Sequence, residues 1–63
     1  MNWTTLKVAR YDELVHISDD EKGRFVIRPG HNGYLLADNG HQKIGPFREV
    51  ASAKMVAELL AEG

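Results

Sequence analysis

His16 and Ser18 stand two residues apart, the spacing that puts two side chains on one face of a β-strand. If Asp38 shares that face, the three supply the hydroxyl, base and carboxylate of nucleophilic catalysis. Such chemistry also needs a cleft that excludes water, and these residues fall on what reads as an open sheet. The chain has no cysteine, which rules out a thiol nucleophile, a thiolate zinc site and a disulfide. It has no glycine-rich phosphate loop and no His-x-x-x-His pair. His16, His31 and His41 are divided between strand segments and a turn, with no supporting pattern of carboxylates around them. The run Asp19-Asp20-Glu21 lacks the alternation of an EF-hand loop and reads as a solvated turn. The expectation is therefore a protein without catalytic residues, metal, cofactor or small-molecule substrate.

The elements that must hold these residues are short. Polar, glycine-containing turns fall at 19–23, 29–33 and Asn39-Gly40, and Asn-Gly is a strong hairpin signal because both turn positions need positive φ. Between them lie Glu13–Ser18, Arg24–Arg28, Tyr34–Asp38 and His41–Gly45, rich in Val, Ile, Phe, Tyr and Leu at strand length. After Gly45-Pro46-Phe47 the period changes. Val50, Ala53, Val56, Ala57 and Leu60 line one side of a helix over 49–62. These signals predict one small α+β domain spanning 1–63, a four-stranded antiparallel meander over 13–45 packed against one C-terminal helix, in the order β-β-β-β-α. In residues 1–10, Trp3, Leu6 and Val8 fit a further strand, a short helix or an arm folded over the sheet.

Pairing the strands through those turns sets Ile17 opposite Phe25, Ile27 opposite Leu35, and Leu36 opposite Lys43. Because side chains alternate, each pairing assigns a face. The expected core face holds Val15, Ile17, Phe25, Ile27, Leu35, Ala37 and Ile44. The expected outer face holds Arg24, Val26, Arg28, Tyr34, Leu36, His41 and Lys43, together with Leu14, His16, Ser18 and Asp38. An outer face that mixes large apolar side chains with a charged rim is the pattern of a contact site, and Tyr and Arg are frequent anchors of such contacts. Met55 and Leu59, four residues apart and off the helix stripe, form a secondary contact candidate.

The 63 residues carry a net charge of −1, unevenly spread. Lys22, Arg24, Arg28, Lys43 and Arg48 against Asp38 make 22–48 cationic, while both flanks are anionic. A near-neutral total argues against strong non-specific nucleic-acid binding, and the cationic middle keeps nucleic acid as the alternative partner. No apolar run reaches the ~20 residues of a membrane span, and the start lacks the pattern of a secretory signal. A cytoplasmic location and no membrane partner are expected.

The stretch Gly33-Tyr34-Leu35-Leu36-Ala37-Asp38-Asn39-Gly40, followed by Ile44-Gly45-Pro46-Phe47 and Ala53, resembles the three-stranded sheet plus helix of integrase arm-binding domains and plant Apetala-type DNA-binding domains. That resemblance implies an outer sheet face that enters the major groove. Gly45-Pro46-Phe47 before a helix also resembles peptidoglycan-binding SPOR domains. Neither likeness assigns the chain to a family. Taken together, the residues predict a non-enzymatic binding module that recognises a protein partner, or a second copy in a homodimer, through the outer sheet face. Its size suits a small regulatory module encoded by a phage or mobile element, and DNA or RNA binding by the same face is the alternative.

Overall fold

A computed structural model describes residues 2–8, 13–19, 23–40 and 42–62. The elements in chain order are β1 (Trp3–Val8), β2 (Glu13–Ser18), β3 (Phe25–Gly30), β4 (Gly33–Asp38), β5 (Gln42–Phe47) and α1 (Val50–Glu62). The α+β layout with one C-terminal helix is as expected, but the sheet has five strands in sequential antiparallel order rather than four. The added strand is the N-terminal segment, which pairs with β2 from Trp3–Ser18 through Val8–Glu13. It extends the sheet edge and does not fold over a face.

Every expected pairing is displaced by one residue. Ile17 lies opposite Val26, Ile27 opposite Leu36, and Leu36 opposite Ile44. The loops explain the shift. β3 and β4 run on to Gly30 and Gly33, which shortens their connection to the two residues His31-Asn32. Asp38 pairs with Gln42, which lengthens the next connection to three, and Asn39 and Gly40 both take the positive φ anticipated for them, 54° and 73°. A one-residue slip moves a strand's whole side-chain set to the other face. Relative to β3, β2 and β4 are therefore inverted, while β5 is inverted twice and returns Ile44 to the expected side.

The face beneath α1, here the inner face, carries Phe25, Ile27 and Leu36, each fully buried with Ala53 and Ala57 of the helix. Trp3, Tyr34, Ile44, Phe47, Val50 and Val56 pack around this cluster. Two alanines at the contact let the helix approach the sheet closely enough for the three large side chains to lose all exposure. Val15, Ile17, Leu35 and Ala37, expected in this core, lie on the opposite face instead. Leu36, expected outside, is its centre.

Specific polar contacts lock the strand ends. The buried Ser18 hydroxyl accepts a hydrogen bond from the Phe25 amide at 3.0 Å, bridging the turn between β2 and β3. The Asn39 amide donates to the Arg24 carbonyl at 2.8 Å, and the Asp19 amide to the Asn2 carbonyl at 2.9 Å. β4 and β5 shift register between Leu36 and Tyr34, so that Tyr34 faces Phe47. There Gly33 sits at φ 142°, where a Cβ would collide with the Phe47 carbonyl. Only glycine allows the two backbones to come this close.

Candidate functional site

The outer face is built from alternate residues of all five strands. One row crosses the sheet as Thr4, Ile17, Val26, Ala37 and Lys43, each directly paired to the next. Beside it lie Leu6 paired with Val15, and Arg28 paired with Leu35. Val8 and Glu13 continue the face at one end of the β1–β2 hairpin. The centre is apolar: Val15 is buried, Ile17, Val26, Leu35 and Ala37 are half-buried, and Leu6 is 50% exposed. Arg28 and Lys43 are exposed within and at the end of this field. The helix lies on the other side, against β3, β4 and β5.

The residues singled out in the sequence divide between locations. Val26, Arg28 and Lys43 are on the outer face. Tyr34 and Leu36 are corrected to the inner face, where Leu36 is 0% exposed and Tyr34 packs at the edge of the core. The inversion of β4 is the cause, and with it goes the expectation that Leu36 can be truncated without harm to the fold. Arg24 precedes β3 and is engaged with its neighbours. Its Nε donates to Asp38 Oδ1 at 2.8 Å and its Nη2 to Oδ2 at 3.2 Å, while the guanidinium lies 4.6 Å from the Phe25 ring centroid. A two-pronged arginine–carboxylate contact of this kind fixes geometry, and here it clamps the open end of the β3–β4 hairpin. His41 lies outside the described residues. Met55 and Leu59 are 65% and 63% exposed on the back of the helix, away from both sheet faces.

Ser18, His16 and Asp38 share a face, but it is the inner one rather than the expected outer one, and each is committed to a different partner. Ser18 holds the Phe25 amide and Asp38 holds Arg24. The Thr5 hydroxyl lies 3.0 Å from His16 Nδ1. The hydrogen bond from Arg24 keeps the Asp38 carboxyl below the usual carboxylate range, against a smaller opposing effect of burial. Burial first, and the charge of Lys54 second, lower His16 below its ordinary value, which favours a neutral ring at physiological pH. Among the described residues no three His, Asp, Glu or Cys side chains gather as a metal site would require.

A concavity opens on the helix side. The β2–β3 ladder pairs His16 with Ile27 and Ile17 with Val26. Pro29 lies beyond it and has no N–H with which to continue it. An open cleft of about 500 Å³ lies here, lined by Glu13, Leu14, His16, Pro29, Tyr34 and Val50. Leu14, expected on the outer face, is on this side and half exposed.

The sequence missed Leu6, Val15, Ile17, Leu35 and Ala37 as members of the outer face. Their apolar character was visible, but their side of the sheet was not. Among the described residues no helix is long and apolar enough to cross a membrane. Compared with known protein families, curated proteins and solved structures, the chain matches none.

Proposed function

We propose that this chain is a non-enzymatic binding module that recognises another protein through the outer face of its sheet. The observation that carries this reading is the apolar field Leu6, Ile17, Val26, Leu35 and Ala37. It lies on the side opposite α1, with no described element packed over it. A two-layer domain needs one buried face, and the inner face already supplies it. A second apolar face adds nothing to that core and leaves its residues partly wet. Contiguous apolar surface with charges around it is the usual form of a protein contact.

The test is affinity capture from source-cell lysate with the wild-type protein and with Val26→Glu, in the presence and absence of nuclease. A charge in the middle of the row Ile17–Val26–Ala37 should abolish capture while thermal unfolding shows the domain still folded. Capture that survives Val26→Glu at full strength would sink this face as the site. Capture that disappears with nuclease would transfer the reading to DNA or RNA, for which the exposed Arg28 and Lys43 on the same face are the supporting feature.

A further inference from the structure

Arg28 and Lys43 are exposed on the outer face, and among the described residues no carboxylate pairs with either. Their setting differs from that of an ordinary surface cation. Arg28 follows Val26 on the same face of β3 and lies opposite Leu35, so it stands inside the apolar field. Lys43 ends the row that runs through Ile17, Val26 and Ala37. Glu13 and Asp19, at the two ends of β2, are acids of this face; both sit at its rim, and the Asp19 carboxylate accepts a hydrogen bond from the Thr4 hydroxyl. An arginine within an apolar contact is costly to cover unless the partner brings a carboxylate to it, and its planar fork suits a carboxylate in two-pronged contact.

We infer that the occupant of this face is an acidic, amphipathic segment of another protein. Its carboxylates meet Arg28 and Lys43, and its apolar side chains cover Ile17, Val26 and Leu35. The inference rests on the outer face being a docking surface, and it adds the chemistry of the partner. Two strand spacings across and two residues along place the backbones of Arg28 and Lys43 roughly 12 Å apart. Two carboxylates seven residues apart on a helix, about 10.5 Å, fall within reach of both side chains.

Other occupants fit this surface less well. A second copy packed face to face about a two-fold axis would bring two Arg28 guanidiniums towards one apolar contact, with Glu13 and the Thr4-bonded Asp19 only at the rim. A nucleic acid needs cations in series along its phosphates, whereas Ile17, Val26, Ala37 and Leu35 occupy the positions between and beside these two.

The probe is a set of synthetic helical peptides with identical leucine spacing and with Glu, Gln or Lys at two positions seven apart. Each is titrated into isotope-labelled protein while the side-chain methyl signals of Ile17, Val26 and Leu35 are followed. The Glu peptide should shift these methyls and bind at least tenfold more tightly than the Lys peptide at low salt, and Arg28→Glu should reverse that order. Equal affinity of all three peptides, with the same methyls shifted, would overturn the acidic partner while leaving the docking face standing. No shift with any peptide also overturns it, and the docking face is then judged by the Val26→Glu capture experiment alone. Duplex DNA or phosphatidylserine vesicles binding more tightly than the Glu peptide, with that binding lost in Arg28→Glu, would replace the acidic protein with a polyanion.

Discussion

The two faces of the sheet are made of the same kinds of residue and have different fates. Phe25, Ile27 and Leu36 on one side are fully buried. Ile17, Val26, Leu35 and Ala37 on the other are only half-buried. Within β3 and β4 the two sets are interleaved residue by residue, so neither composition nor hydropathy separates them. What separates them is the helix, whose Ala53 and Ala57 bring it against one side. The lesson is that apolar character identifies a core only where a second layer exists to cover it. The same character on the uncovered side is the feature to explain by function.

The difference between the faces is largest in the core. Phe25→Ala should cost about 3–5 kcal/mol, enough to unfold so small a domain. The sharper test uses neighbours in the chain. Leu36→Ala should cost about 2–5 kcal/mol, while Leu35→Ala, from the other face, should cost about 1 kcal/mol. Urea unfolding of the pair checks this, and equal losses would mean the two faces are energetically alike. Gly33→Ala comes next, at about 1–3 kcal/mol, because a methyl group there meets the Phe47 carbonyl at an unfavourable φ. An unchanged midpoint would show that β4 and β5 are not held as closely as described.

The smallest effects are electrostatic and separate the faces by pH. Asp38, at the end of the helix-covered face, has its carboxyl lowered, so its contribution is present above about pH 4 and lost as pH falls through the folded value. His16 is lowered too, so the unfolded chain takes up its proton first and stability declines as pH drops below about 6.5. Asp38→Asn and His16→Gln should each remove the dependence in their own window, measured by thermal unfolding across pH. Arg28→Gln on the outer face should leave that profile unchanged, since no ion pair of Arg28 is present among the described residues to lose.

Four of the strands, the helix stripe from Val50 to Ala57 and the positive φ of Asn39 and Gly40 were legible in the residues alone. These are local signals: a 3.6-residue period, and a turn whose backbone few residues tolerate. The residues also put Phe25, Ile27 and Ile44 on the core side, although for Ile44 two one-residue errors cancelled. The fifth strand, the register and therefore the membership of the two sheet faces came only with the tertiary structure. Trp3-Thr4-Thr5-Leu6-Lys7-Val8 alternates too weakly to announce an edge strand before β2 is there to pair with it. Leu14-Val15-His16-Ile17, Phe25-Val26-Ile27 and Tyr34-Leu35-Leu36-Ala37 carry apolar side chains at consecutive positions. A period of two then fits either face equally well, and loops one residue longer or shorter choose between them. That choice took Leu36 out of the proposed docking surface and put Ile17 and Leu35 into it.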